Sequence, residues 1–328
     1  MIGHQEQPAR VALVLIPKFS MLALTGAIEV MRMANQLAGC EHYRWQLVSL
    51  DGDAVAASNG LSLAVDVSLA ESAASSADID AVLVAAGLDV HQTDSEALMQ
   101  ALRQLAAKGA TLGGICTGSW LLARAGVLDG YRCTIHWENV AAFREAFPEL
   151  VVSAELFEID RDRLSCAGGI APIDMMLYDV RVRCGASIAS RIAEQFMLER
   201  IRDRHEKQKV PLTQRVGAAQ PKLAEALALM EANIEEPIGL DELSRHVGLS
   251  RRQLERLFQR YLQCVPTRYY LELRLERARQ LLLQTGMPIL DVAQACGFVS
   301  APHFSKCYRE NFSLTPRDER RRASELLR

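Results

Sequence analysis

The chain is 328 residues long, 49% hydrophobic and 23% charged, with a formal net charge of −3, and that length accommodates two domains with separate cores. Its eight cysteines, at 40, 116, 133, 166, 184, 264, 296 and 307, form no C-x-x-C pair, which argues against a zinc knuckle or a dithiol redox motif. Without a signal-like N-terminus or an apolar run of about 20 residues, the expectation is a cytoplasmic protein with no metal, no cofactor and no membrane partner.

The charge is unevenly spread. Residues 1–200 carry 15 Lys and Arg against 24 Asp and Glu, a net −9, whereas residues 201–328 carry 22 against 16, a net +6. An acidic part joined to a basic part suggests one module that avoids polyanions and one that seeks them.

In chain order, residues 10–17 (RVALVLIP) suit a strand buried on both faces, and 21–37 follow with apolar residues at helical spacing. Residues 43–50 (YRWQLVSL) and 79–86 (IDAVLVAA) read as further strands, the second ending at Gly87; a helical stretch at 94–108 then leads into a strand at 110–115. Next come 131–137 (YRCTIHW) as a strand, an amphipathic helix at 138–147 stopped by Pro148, and two short strands at 151–153 and 156–160. Residues 166–169 (CAGG) turn into a helix at 171–184, and 187–204 read as a final amphipathic helix. Strands alternating with helices predict a doubly wound, mostly parallel sheet covered on both faces, with any site at the strand C-termini.

Within this part the stretch Gly113-Gly114-Ile115-Cys116-Thr117-Gly118-Ser119 has the form of a strand breaking sharply into a helix with a cysteine at the corner. Small residues on both sides allow the tight turn and a close approach to a ligand, which is the pattern of a nucleophile elbow. The same residues equally suit a buried cysteine at a strand end.

Residues 204–221 are polar, contain two prolines and lack apolar periodicity, so they are assigned as a linker between a domain at 1–203 and one at 222–328. The second domain is helical throughout and contains a repeat. Residues 243–250 (LSRHVGLS) form a helix, a glycine turn and a cap, followed by a helix with Leu254, Leu257, Phe258 and Tyr261 on one face. Residues 292–300 (VAQACGFVS) repeat the pattern 49 positions later with one extra turn residue, followed by Phe304, Cys307, Tyr308 and Phe312 on one face. Between the copies, 266–284 is a long amphipathic helix opened by Pro266. Two helix-turn-helix patterns on a basic domain predict double-stranded DNA as partner, each second helix entering the major groove while Arg and Lys neutralise phosphates.

Residues 222–328 resemble the DNA-binding domain of AraC/XylS-type transcriptional regulators, through Leu243, Gly248, Ser250, Leu254, Arg256 and Phe258, then Pro266, Tyr270, Arg274, Ala278 and Leu281-Leu282, and finally Ile289, Val292, Ala293, Gly297-Phe298, Phe304, Tyr308 and Thr315-Pro316-Arg317. Residues 10–200 resemble the DJ-1/PfpI, or class I glutamine amidotransferase-like, domain, through Glu29, Gly87, Cys116 and Thr134-Ile135-His136-Trp137. The fusion is similar to GlxA-type regulators, a group that includes bacterial sensors of arginine, glycine betaine and carnitine. This resemblance implies that Arg251, Arg252, Gln253, Glu255, Arg256 and Gln259 project from the first recognition helix, and Ala301, Pro302, His303, Ser305, Lys306 and Arg309 from the second. Of these, Arg256 and Lys306 are the expected base or phosphate contacts. It also implies that Glu29 hydrogen-bonds Cys116.

A working cysteine nucleophile would need a stabilised thiolate and a positioned base, for which His136 is the candidate. A domain fused to a DNA reader needs only state-dependent ligand binding, so the expected role is sensing, with no catalytic residue. The candidate ligand-binding residues are Cys116, Thr117, Glu29, Gly87 and His136, with Phe19, Trp120 and Trp137 as aromatic walls. Aromatic faces beside a carboxylate suit a cationic or quaternary-amine effector. The expected protein is therefore an effector-controlled regulator, expected to activate a catabolic operon: a homodimer through its first domain that works with RNA polymerase and is nucleoid-associated on DNA. A cysteine-dependent hydrolase or glyoxalase-like enzyme, and a thiol redox sensor, are the alternatives.

Overall fold

The computed structural model describes residues 2, 8–74, 79–208 and 220–325, and the described chain divides into two compact units, Met1–Gln208 and Lys209–Arg328.

Unit 1 is an α/β domain. Its elements are β1 (Ala9–Leu15), α1 (Met21–Ala38), β2 (Tyr43–Ser49), β3 (Val55–Ala56), β4 (Ser62–Leu63), β5 (Val67–Ser68), α2 (Leu69–Ala74), β6 (Ala81–Ala85), α3 (Glu96–Ala107), β7 (Thr111–Ile115), α4 (Ser119–Arg124), β8 (Arg132–Cys133), α5 (Val140–Ala146), β9 (Val151–Val152), β10 (Phe157–Asp160), β11 (Arg163–Cys166), α6 (Ala171–Arg183) and α7 (Ala186–Gln195). Seven strands form the main sheet in the order β10-β11-β7-β6-β1-β2-β5. Every pairing is parallel except β10 with β11.

The apolar run of β1 is continuous because it feeds two cores at once. Val11, Leu13 and Leu15 enter a core shared with α1 and α6, while Ala12, Val14 and Ile16 enter a second core shared with α3, α4 and α5. Period-two alternation within an all-apolar strand is what burial on both faces demands. Helix α1 begins where the Ser20 hydroxyl accepts from the Ala23 N–H, and it ends at Gly39, whose φ is 70°.

The sequence reading misses β11, the strand that joins β10 to β7. Its composition, RLSC, is polar, yet all four residues are buried. The Arg163 Nε donates to the Val127 carbonyl at 2.7 Å, and the Ser165 hydroxyl accepts from the Thr134 N–H at 2.9 Å. Buried polar groups are tolerated once they are hydrogen-bonded. The strand expected at 131–137 is regular only over β8, and the helix expected at 187–204 stops at Gln195, with Met197 in the left-handed region at φ 53°.

Residues 204–208, read as linker from composition, are bonded to unit 1. The Leu156 N–H donates to the Glu206 carbonyl at 2.8 Å, and Gln208 N to Ala154 O at 3.2 Å. The Gln208 Nε2 donates to the Thr134 hydroxyl, the Ile135 carbonyl and the Glu155 carbonyl at 2.8, 2.8 and 3.0 Å. Arg202 is fastened to the buried Asp174 at the start of α6 through Nε at 3.0 Å and Nη2 at 2.6 Å. Residues 209–219 of the assigned linker lie outside the described residues.

Unit 2 is all-helical: α8 (Pro221–Ala232), α9 (Leu240–His246), α10 (Arg251–Leu262), α11 (Pro266–Gln284), α12 (Ile289–Ala295), α13 (Ala301–Phe312) and α14 (Pro316–Glu325). It holds two small cores. Leu223, Leu227, Leu243, Val247, Leu254, Phe258 and Tyr270 form the first, and Leu275, Leu281, Val292, Phe298, Phe304 and Tyr308 belong to the second. Helix α11 supplies residues to both, so the amphipathic connector is a shared wall that fixes the two helix pairs to each other. Arg274 reinforces it, donating to the carbonyls of Cys296 and Gly297 at 2.8 and 2.7 Å with its guanidinium 4.2 Å from the Phe298 ring centroid.

Candidate functional site: a thiol pocket and two recognition helices

Cys116 sits at the C-terminal end of β7 with φ 60°, a left-handed conformation that is uncommon for a residue with a side chain. Its N–H bonds the Cys166 carbonyl at 3.1 Å, so the corner is held by the neighbouring strand's end. The turn closes over Gly118, where an added Cβ would lie 1.9 Å from the Val84 carbonyl oxygen. The elbow geometry expected from the sequence is therefore present, and strain of this kind collects where surrounding structure enforces it.

Gly168 explains what surrounds the thiol. A Cβ placed there would lie 2.8 Å from the Cys116 Sγ and 2.8 Å from the His136 Cδ2. The thiol and the imidazole edge thus flank one glycine, which leaves them room that any side chain would fill. The His136 N–H also donates to the Cys116 carbonyl at 3.3 Å. On its other side, the His136 Nδ1 lies 3.7 Å from the Glu138 Oε2, and its ring centroid is 5.6 Å from that of Trp137. His136 and Trp137 are both half-buried.

The surroundings of the Cys116 sulfur disfavour its charged form. Burial pushes the Cys116 thiol up to about 12, against a smaller lowering from the Thr117 N–H and with a further raising by the Glu138 charge. This shift favours the protonated thiol, whereas reactive cysteines are poised as thiolates by nearby positive charge. Thr117 is buried and its hydroxyl donates to the Gly87 carbonyl at 2.7 Å, tying the elbow to the end of β6.

Two expected pocket residues take other places, and a third is buried in the core that also holds Cys116. Glu29 does not bond Cys116: it lies half-exposed on α1 and pairs with Arg32 at 2.7 Å, one turn along the same helix. Trp120 is in the core on the opposite face of the sheet from Cys116, 5.7 Å from the Phe143 ring and 5.4 Å from that of Phe147. The cause is that α4 turns away from the elbow toward α3 and α5. Phe19 is fully buried, and its backbone bridges to both Ala57 and Gly87, which makes it a brace beneath the strand ends. Gly168, Glu138, Lys18 and Asp89 are not among the pocket residues expected from the sequence. Lys18 and Asp89, both in the left-handed region (φ 63° and 58°), form a 2.7 Å ion pair at the ends of β1 and β6. The Gly168-Gly169 dipeptide and the carboxylate two residues after His136 were the available signals. Among the described residues no group of three His, Cys, Asp or Glu is placed to hold a metal, and no helix is long and apolar enough to cross a membrane.

In unit 2, each helix-turn-helix turns on a glycine with positive φ, Gly248 at 69° and Gly297 at 72°. Helix α10 opens with a capping box between Ser250 and Gln253, and α13 with the Ser300 hydroxyl accepting from the His303 N–H. The buried pairs Leu254/Phe258 and Phe304/Tyr308 turn equivalent faces outward. On α10, Arg251 pairs with Glu255 at 3.0 Å and Gln253 is occupied by its cap, while Arg252, Arg256 and Gln259 are exposed. On α13, Pro302, His303, Lys306 and Arg309 are exposed, and Ala301 and Ser305 half-buried. Lys306 lies 3.9 Å from Glu310, and the His303 Nε2 lies 3.4 Å from the Cys307 sulfur.

A doubly wound domain with a cysteine corner, followed by two capped helix-turn-helix units on one shared helix, defines a DNA-binding regulator of transcription. Family models described as "DJ-1/PfpI family" and "Helix-turn-helix domain" match residues 9–177 and 243–322. The chain is 52% identical over 317 residues to the HTH-type transcriptional regulator GbdR of Pseudomonas aeruginosa, covering 97% of this chain and 85% of that one. It is 35% identical over 315 residues to the HTH-type transcriptional regulator GlxA of Rhizobium meliloti, covering 96% of each. The crystal structure of an AraC family transcriptional regulator from Pseudomonas putida matches with a TM-score of 0.53 at 36% identity, over 58% of this chain and 100% of that one. The chain belongs to the AraC-type regulators that carry a DJ-1/PfpI domain.

Proposed function

We propose that the protein is an effector-controlled transcription factor in which a small metabolite binds beside Cys116 and alters how the helices α10 and α13 engage an operator. The observation that carries this reading is a well-formed elbow with a buried cysteine on the same chain as two capped helix-turn-helix units. The half-buried His136 and Trp137 rings beside the Glu138 carboxylate favour a cationic or quaternary-amine effector, such as carnitine, betaine or arginine, held by ring faces and charge. Bonds from residues 202–208 to Ile135, Leu156 and Asp174 attach the chain leaving unit 1 to segments adjoining His136 and Gly168. That attachment offers a route by which occupancy changes the downstream chain.

In this reading the protein is a cytoplasmic homodimer, paired through unit 1, that activates a catabolic operon together with RNA polymerase. Footprinting on the protein's own upstream region with and without candidate amines tests it. Protection whose affinity falls with salt and changes with one amine is the expected result, and absence of any protected site refutes the regulator. The nearness of His136 to Cys116 supports one other reading, a cysteine hydrolase. That enzyme requires turnover lost in Cys116→Ala, whereas a sensor turns over nothing in either form.

A further inference from the structure

The two recognition helices are copies in backbone and opposites in chemistry at their leading ends. Counted from the first buried residue of each outward-turned face, Leu254 and Phe304, the positions that hold Arg251 and Arg252 on α10 hold Ala301 and Pro302 on α13. The extra residue in the second turn is Val299, whose relative exposure of 102% is the highest among the described large apolar side chains. It stands directly before the cap.

The polar side chains of this leading turn, Ser300 and His303, are exposed but engaged within the turn. The Ser300 hydroxyl is taken by the His303 N–H at 3.3 Å, and His303 leans on the Phe298 ring, 5.9 Å between centroids, with its Nε2 at the Cys307 sulfur. Beside them Val299 and Pro302 are exposed and Ala301 is half-buried. Unlike Arg251 and Arg252 on α10, the side chains of Val299, Ala301 and Pro302 have no group to offer a phosphate or a guanine edge. The one apolar feature that a base presents in the major groove is the 5-methyl group of thymine.

We propose that the leading end of α13 reads thymine methyl groups, with Val299 and Pro302 as the contacting side chains, while α10 reads its part of the site through Arg252 and Arg256. The operator then has two chemically different parts, one recognised by hydrogen bonds and charge and one by methyl burial. The inference rests on the reading of the chain as a DNA-binding regulator and adds the base chemistry of its second unit. Burying one methyl-sized group corresponds to about a fourfold gain in affinity.

The test uses the full-length protein and duplexes it selects from random DNA. In the selected site each thymine is replaced in turn by uracil, which removes the methyl and keeps every hydrogen-bonding group. One or more positions in one part of the site should weaken binding about fourfold each. The penalty should shrink below twofold in Val299→Ser or Pro302→Ser, both exposed positions whose change leaves the core untouched. Uracil tolerated at every thymine overturns the inference, as does a penalty that persists undiminished in both variants. Failure to select any duplex overturns the regulator reading itself.

Discussion

Arg202→Ala should destabilise unit 1 although the residue lies on the surface side of a connecting segment. Its partner Asp174 is 3% exposed at the start of α6, and the guanidinium supplies two of the three bonds that the carboxylate receives, the third coming from the Arg202 backbone N–H at 2.9 Å. Removing one member of a buried pair costs about 3–5 kcal/mol because the other charge is stranded. Here the Arg202 side chain keeps 27% of its exposure, so water reaches part of the vacated space and the backbone bond survives. We therefore expect a smaller loss, about 2–3 kcal/mol. For a domain of this size that is a fall in Tm of about 4–12 °C. Thermal unfolding followed by near-ultraviolet circular dichroism reads it directly. The double variant Asp174→Leu/Arg202→Leu, which removes both charges, should recover most of the loss. A Tm within one degree of the parent in Arg202→Ala, or strictly additive losses in the double variant, would refute the claim that these residues belong to the folded domain.

The buried thiols make stability depend on alkaline pH. Burial raises Cys116, Cys133 and Cys296 from 9.0 to about 12, so between those values the unfolded chain has released protons that the folded chain retains. Their stabilisation is complete below pH 9 and is lost as pH rises toward 12; urea midpoints should fall across that window, less steeply in Cys116→Ala, and a flat profile would contradict the burial. Alkylation of Cys116 by iodoacetamide should likewise keep accelerating above pH 9, whereas a plateau near pH 8 would indicate an activated thiolate. Ser250→Ala, which removes half of the capping box of α10, should cost unit 2 about 1 kcal/mol, measured by denaturant unfolding. Arg256→Ala should weaken binding to selected DNA; if the contact is to phosphate, the salt slope falls by about one unit and all sequences suffer alike.

Much of this architecture is legible from one-dimensional pattern. The β1 run, the elbow around Cys116 and both helix-turn-helix repeats occur where local periodicity and turn residues place them, because a strand buried on both faces must be apolar throughout and a glycine with positive φ must punctuate each turn. The strand β11 was illegible because Arg163 and Ser165 look solvent-bound until their partners, Val127 and Thr134, are known. The membership of the pocket was illegible for the same reason.

By itself the sequence determined the two-domain organisation, the acidic and basic division, the cysteine corner and the repeat that marks a DNA reader, since each depends on neighbours in the chain. Only the tertiary structure decided which residues meet the thiol. It brought Gly168 and His136 to Cys116 from distant segments, turned Glu29 outward to Arg32, sent Trp120 to the other face of the sheet, and drew residues 202–208 into unit 1. Those outcomes depend on which strands pair and on where water is excluded. Exclusion of water also pushes the Cys116 thiol above its ordinary range.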